Sequence, residues 1–437
     1  MMAIKIEKCA YYFLIFLIGL IVVVKIGAVP VLYLKNISPS PIQDPLEYRN
    51  LALNLLAGNG FSIAEDPPYL LDLFRTPLYP LFLAATFLVN FSGHLAILLQ
   101  QLMIIFSAWL LFKILRRSKF GDSRIIPLIP SLFLLIDPRI WFWSLETMTE
   151  PLFIFLTALM FFFLLHPDNF RMPHAAISGV LFGLALLTRP SGLLWAPGIF
   201  LFFLFLKKPL KSKLLMFLVF AVISVFVVSP WLWRNFQLVS RPILSSAEML
   251  NYIQAFGMGR EDPAWSCAGK ITDSKDRKGC VFYGWTSAGF SEAEKTYEDL
   301  RSSLPPSSLI KKNIVGAYHF WSSVDYGDAI SILYNALYGS GQFLSGGWIL
   351  LTKISHQLYN SFLGLILISA VLGIIYLYKK KELSLAGLSL GVIIASMFIN
   401  FGLASTRLHL VLFPLVFLLA GFGVYFIKSI YPAKKKL

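Results

Sequence analysis

An all-α polytopic membrane protein of about ten spans is the fold class the sequence predicts. Three observations predict it. Hydrophobic residues make up 57% of the 437 and charged residues only 14%, and the mean hydropathy is positive, a balance typical of multi-pass membrane chains. Long apolar runs recur from one end of the chain to the other. Between them, lysines and arginines cluster at alternate junctions, as the positive-inside rule expects of cytoplasmic loops. The same clustering accounts for the net charge of +15, so the basic balance does not indicate a nucleic-acid partner.

The first span covers residues 10–34 and follows only Lys5, Glu7 and Lys8. It lacks a small-residue cleavage site and reads as a retained signal anchor. Lys25, inside it, is close enough to an end to snorkel or to pair with an acid. Residues 44–62, DPLEYRNLALNLLAGNGFS, predict a short amphipathic surface helix. Asp44 serves as N-cap, Pro45 as first helical residue and Glu47 as the N3 carboxylate. Leu46, Leu51, Leu55 and Leu56 share a face, and Gly58 with Gly60 stops the helix. Residues 76–91 are apolar but shorter than the roughly 20 residues an upright spanning helix needs, so they dip in or lie flat.

The remaining spans are expected at 94–115, 125–144, 151–165, 175–188, 191–206, 214–232, 358–378, 383–403 and 408–427. Basic residues mark the cytoplasmic returns at Arg116, Arg117, Arg171, Lys207, Lys208, Lys379, Lys380 and Lys434. Both ends are then cytoplasmic. Asp44, Arg75, Glu146, Glu150, Arg189, Arg234, Arg407 and the long polar stretch 234–357 all fall on the extracytoplasmic face. Three regions follow: a membrane module 1–233 with its first loop at 35–93, the loop region 234–357, and C-terminal membrane helices 358–437. Within the loop region, 291–302 predicts a helix capped by Ser291 with Glu294 at N3. Cys267 and Cys280 bracket a charged segment and could pair in an oxidising compartment. Cys9 reads as apolar filler.

Ionisable groups at helix ends on one face of a bundle are functional candidates by default. Here they are the acids Asp44 and Glu150 and a set of arginines. The sequence holds no P-loop, GxGxxG, catalytic-triad arrangement or DxD, and no Cys/His metal-ligand spacing. No metal is required by these motifs, although two acids on one face leave room for a divalent ion. Outside the cytoplasm there is no nucleotide sugar to use, so an activated substrate would be lipid-borne. A carboxylate base facing guanidiniums suits displacement at a carbon bearing a phosphate leaving group.

At this point the chain resembles the GT-C superfamily of integral-membrane glycosyltransferases, in particular the protein O-mannosyltransferase and aminoarabinose-transferase-like group. The residues that carry the resemblance run in order: DPLEYRNLALNLLAGNGFS, RTPLYPLFLA, ETMTEPLFIFL, LLTRPSGLLWAP, PWLWRNF and TRLHLVLFPLVFLLAGFG. The resemblance implies a GT-C helix bundle in the cell's inner (plasma) membrane. It also implies inverting transfer of a sugar from a polyprenyl-phosphate donor to an acceptor hydroxyl on the extracytoplasmic side. The acceptor would be a lipid, a glycan or a protein; membrane lipids surround the enzyme, and no cofactor is needed. Asp44 matches the first-loop aspartate that acts as base or orients the acceptor. Glu150 matches an acidic position of the second extracytoplasmic loop, and Phe74-Arg75-Thr76-Pro77 matches a segment that contacts donor phosphate. Asp44-Pro45 stands where some protein mannosyltransferases carry Asp-Glu, which weighs against a protein acceptor.

Each candidate also has a structural reading. Asp44 could only cap its helix, worth about 1 kcal/mol. Tyr48, a candidate substrate contact, could be an interface aromatic, and Glu150 could answer the macrodipole at a helix start. Glu146 reads as solvated. Arg189, Arg234 and Arg407 are candidate substrate or phosphate contacts that could equally snorkel. His409, beside Arg407, could be a packing residue. Two other classes compete with a transferase: a transporter or flippase of lipid-linked saccharides, and a non-catalytic scaffold. Transport is disfavoured by charges that collect at one face instead of mid-membrane.

Overall fold

A computed structural model describes residues 2–34, 43–118, 123–165, 170–247, 249, 286–303, 305, 307, 346–398 and 412–430. Cys267, Cys280, Arg407 and His409 lie outside the described residues. The described residues are almost entirely helical, in agreement with the predicted class, and contain no strand beyond an isolated antiparallel bridge between Asp72 and Thr286. In chain order the helices are α1 (Met2–Leu34), α2 (Gln43–Ala57), α3 (Leu78–Phe87), α4 (His94–Arg117), α5 (Leu128–Ile136), α6 (Pro138–Ser144), α7 (Thr149–Leu164) and α8 (Met172–Thr188). A 3-10 turn, Pro190–Trp195, leads into α9 (Ala196–Leu204) and α10 (Leu210–Val239). After the long polar region come α11 (Phe290–Ser303), α12 (Gly346–Lys379), α13 (Leu383–Phe398) and α14 (Phe413–Ile430).

Among the described residues, five helices are long and apolar enough to cross a membrane, or six if the bent pair α6–α7 is one span. The ten expected spans therefore do not all appear as single long helices. Proline explains one of the differences and one expected boundary. Pro138 forces Asp137 out of helical geometry, to φ −59° and ψ 118°, because a residue before proline is disfavoured in the α region. The expected span 125–144 is thereby broken into α5 and α6, and α6 meets α7 at 115°. Pro190 does the same to Arg189, which is extended at φ −149° and ψ 125°, and this ends α8. Helix α3, with 10 residues, spans about 15 Å, consistent with a segment that does not cross.

The bundle packs chiefly through α12 on α14, α8 on α10, α9 on α13, α7 on α8 and α4 on α7. Glycines permit the closest approaches. A Cβ on Gly423 would run into the Ser369 carbonyl, and one on Gly373 into that of Leu419, so α12 and α14 touch backbone to backbone, as small residues allow in membrane helices.

Three sequence expectations are corrected by burial. Lys25 does not snorkel: it is fully buried, its ammonium 3.5 Å from Gln101 Oε1 and 4.9 Å from the centre of the Trp141 ring. Nor do all charges collect at one face of the bundle. Asp137 caps α6 by accepting from the Arg139 and Ile140 amides at 3.0 and 3.1 Å and also accepts from the Tyr359 hydroxyl at 2.6 Å, while Arg139 donates to that same hydroxyl. This buried group ties α12 to the α5–α6 break. Finally, Leu46 and Leu56 are exposed on α2, whose buried face is formed by Glu47, Tyr48, Leu51, Ala52 and Asn54. That face is polar at its start because it meets an arginine rather than lipid.

Candidate active site

Asp44 falls inside the first turn of α2, one residue beyond the helix start at Gln43, and not at the N-cap. Helix periodicity then puts Asp44, Glu47 and Tyr48 on one face, at i, i+3 and i+4. The loop after α2 brings Arg75 to that face. Asn54 holds the loop, donating to the Ser62 and Ala64 carbonyls at 2.7 and 2.8 Å. The strap 71–75 is then fixed from several sides. The Asp72 amide donates to Phe61 O at 2.8 Å, Ser246 N to Leu73 O at 2.9 Å, and Ser287 N to Leu71 O at 2.9 Å. Ser245 Oγ donates to Phe74 O at 2.5 Å.

Arg75 is consequently engaged through all three of its guanidinium nitrogens. Its Nη2 donates to Asp44 Oδ1 at 2.6 Å and also to Glu47 Oε2; Nε donates to the same Glu47 oxygen at 3.0 Å, and Nη1 to the Tyr48 hydroxyl at 3.2 Å. The guanidinium also lies over the Tyr48 and Phe74 rings, 4.8 and 4.9 Å from their centres. Burial alone would make Arg75 less basic, but Glu47, Tyr48 and Asp44 outweigh it and hold the group well above its ordinary value. Asp44 is the more accessible acid of the cluster, its side chain 23% exposed against 8% for Glu47.

A second acid–arginine pair lies alongside. Arg189, aimed by its extended backbone, places Nη1 2.7 Å from Glu150 Oε1 and 2.8 Å from Thr149 Oγ1. Both charged residues are buried. The two pairs are joined through adjacent residues, because Thr76 Oγ1 donates to Thr188 O at 2.9 Å. Tyr79 closes the gap. Its ring meets Tyr48 edge-on at 5.0 Å and its hydroxyl donates to Gln100 Oε1 at 2.6 Å. Burial, and then the nearby Tyr48, Glu150 and Glu146, push that phenol well above its ordinary value. Gln100 Nε2 in turn donates to Glu146 O at 2.6 Å, and Gln101 Nε2 to Ser144 O at 2.6 Å. These two glutamines hold the turn that delivers Glu146 and Glu150. Glu146 is buried, contrary to the solvated reading.

Arg234 does not snorkel either. It donates through Nη1 to Asp72 O and Asn235 Oδ1, both at 2.8 Å, and packs over the Trp231 ring at 4.5 Å. The sequence reading missed Glu47 as a partner of Arg75, and missed Asp72, Tyr79, Gln100 and Gln101 altogether. Glu47 carried a usable signal, since it stands one helical turn after Asp44. The others are brought in by long-range contacts that no local spacing encodes. Among the described residues, no group of three or more His, Cys, Asp or Glu side chains forms a metal-binding set.

Asp72 has a measurable consequence. It is fully buried; Oδ1 accepts from the Arg75 amide at 2.7 Å, whereas Oδ2 is without a hydrogen-bond partner among the described residues. Burial pushes its carboxyl up to about 7, and Glu47 adds to the rise, against the lowering effects of the Arg75 amide and the Arg75 and Arg234 charges. The folded protein thus holds a proton on Asp72 that the unfolded chain releases above its ordinary value of 3.8. Stability contributed by this group is therefore fully present below about pH 4 and falls as pH rises to about 7. Thermal unfolding of the detergent-solubilised protein across that window should show the decline, and Asp72→Asn should flatten it. An unchanged slope in the variant would mean that Asp72 ionises normally.

Comparison with known proteins gives a family match to part of the chain. Residues 74–233 match the family model described as dolichyl-phosphate-mannose-protein mannosyltransferase. None of the curated proteins matches the chain. Two crystal structures of ArnT from Cupriavidus metallidurans align with most of the chain. The one bound to undecaprenyl phosphate has a TM-score of 0.40 and 15% identity, covering 95% of this chain and 81% of that one. The apo form has a TM-score of 0.36 and 16% identity, covering 90% and 73%. The matched segment contains Arg75, Tyr79, Glu150, Arg189 and the α5–α7 turn, and over residues 74–233 the chain is similar to the dolichyl-phosphate-mannose-protein mannosyltransferase family.

Proposed function

We propose that this protein is a glycosyltransferase that moves a sugar, with inversion, from a polyprenyl-phosphate donor to an acceptor hydroxyl on the extracytoplasmic face of the cell's inner membrane. The observation that supports it most is the convergence of Asp44 and Arg75 with the Glu150–Arg189 pair, linked through Thr76 and Thr188. In this reading the acceptor oxygen attacks the anomeric carbon from the face opposite the phosphate. The new C–O bond forms as the bond to phosphate breaks, and its electron pair leaves on the phosphate oxygen. Asp44 takes or orients the hydroxyl proton, a role that contributes about 10²–10⁴-fold. Arg75, with Arg189 and Arg407, neutralises the departing polyprenyl phosphate, which is how cations assist a phosphate leaving group. Glu150 and Tyr48 position the acceptor or a sugar hydroxyl, and Arg234 supports the strap that carries Arg75. His409, beside Arg407, is a further contact for the donor. No step draws on a metal or cofactor.

The assignment of sides is supported by α4. Its last turn carries Arg116 and Arg117, the expected cytoplasmic mark, while Gln100 and Gln101, which hold the Glu146–Glu150 turn, lie near its other end.

A second reading has an observation of its own. Buried Lys25, Asp137 and Arg139 around the break between α5 and α6 are the kind of feature transporters use, so flipping of a lipid-linked saccharide is the alternative. One assay separates the two. Purified protein is offered a panel of polyprenyl-phosphate sugars with mixed membrane acceptors, and free polyprenyl phosphate is measured. Its release coupled to glycosylated product is the expected result. Transbilayer movement of intact donor in vesicles without any release would reject the transferase reading in favour of transport.

A further inference from the structure

The reading above asks Arg75 to receive a phosphate, yet the structure shows every nitrogen of its guanidinium already engaged. The edge formed by Nε and Nη2 matters most, because it is the fork that grips oxyanions with two parallel hydrogen bonds. Glu47 Oε2 accepts from both of those nitrogens. Asp44 takes a further bond from Nη2, and Tyr48 occupies Nη1. The cluster thus sets two carboxylates against one guanidinium and carries a net negative charge. An incoming phosphate would meet its best edge occupied and a like charge beside it, at distances where such repulsion is strong in a half-desolvated site.

Asp44 and Glu47 differ in what they can give up. Asp44 holds one bond to Arg75 and is the more exposed; Glu47 sits on the bidentate edge with its side chain only 8% exposed. From its place one helical turn after Asp44 on α2, Glu47 presents a carboxylate at the position where a phosphate would be gripped. We propose that Glu47 is a resident counter-ion on the phosphate-receiving edge of Arg75, displaced when a polyprenyl phosphate binds, and that it thereby sets donor affinity. The inference deepens the functional reading above and rests on Arg75 being the phosphate contact. Glu47 keeps the arginine ordered and charged in the empty enzyme, and the exchange of one oxyanion for another lets the lipid product leave once transfer is complete.

The test uses the full chain, purified in detergent, titrated with undecaprenyl phosphate and in a parallel arm with undecaprenol, with binding followed by native mass spectrometry. Glu47→Gln removes the competing charge at constant shape and is expected to bind undecaprenyl phosphate about tenfold more tightly than wild type. Arg75→Gln is expected to bind it about tenfold more weakly. Undecaprenol, which lacks the phosphate, should bind all forms alike. Glu47→Asp, which withdraws the carboxylate by one methylene, should shift affinity in the same direction by less and decides the matter if the glutamine variant does not fold. Weaker or equal binding by the Glu47 variants, with Arg75→Gln still impaired, would overturn the inference and leave the functional reading standing. Wild-type binding by Arg75→Gln would remove Arg75 from the donor site, and the inference with it.

Discussion

Asp44→Asn is expected to reduce sugar transfer by about 10²–10⁴-fold, the range a positioned general base supplies, while the protein stays folded. The substitution keeps size and shape and leaves an amide oxygen that can still accept from Arg75 Nη2, which now donates at 2.6 Å. What disappears is a carboxylate able to take the proton of an attacking hydroxyl. The structural alternative, a carboxylate that only stabilises the first turn of α2, predicts something different. Loss of a capping or helix-start interaction costs about 1 kcal/mol of stability and has no reason to affect turnover selectively. Rate and thermal midpoint measured on the same preparation separate the two. A variant that transfers sugar at the wild-type rate would remove Asp44 from the chemistry and shift attention to Glu150.

Arg189→Ala should produce the largest loss of stability among single changes at this site, about 3–5 kcal/mol. Its guanidinium faces Glu150 at 2.7 Å, with side chains 10% and 2% exposed, so truncation strips a buried carboxylate of the cation opposite it. Taking a charge out of water is costly unless it is paired, which is why breaking one partner of such a pair costs more than the pair contributes. The double variant Glu150→Gln with Arg189→Gln should therefore recover most of the stability, although not the activity. Thermal unfolding in detergent of Glu150→Gln, Arg189→Gln and the double variant gives the coupling directly. A change in Arg189→Ala no larger than about 0.5 kcal/mol, as for ordinary surface positions, would show that Arg189 is solvated.

Much of this molecule was legible in its order of residues. Composition and apolar runs predicted a helical membrane protein, and the described residues are helical almost throughout. The predicted helix at 291–302 is α11, Phe290–Ser303. The stretch 44–62 formed its helix, and the expected short segment after Arg75 became α3. What misled the reading was local: the proline break at Asp137 splits the run 125–144, which hydropathy alone treats as continuous, whereas the break at Arg189 falls between the expected spans 175–188 and 191–206. The same breaks aim the side chains of the site.

The sequence by itself determined the class of protein, the order of its membrane segments and the residue types available for chemistry, because hydropathy and helix periodicity are short-range properties. Only the tertiary structure decided which of those residues meet. Arg75 reaches Asp44 and Glu47 from 31 and 28 residues further along the chain, through hydrogen bonds at 2.6 and 3.0 Å. Glu150 finds Arg189 from another helix, and Lys25 is buried beside Gln101 instead of reaching towards water. In a low-dielectric bundle a charge must find its partner wherever packing puts one. That pairing is a property of the assembled fold, to which no spacing along the chain gives access.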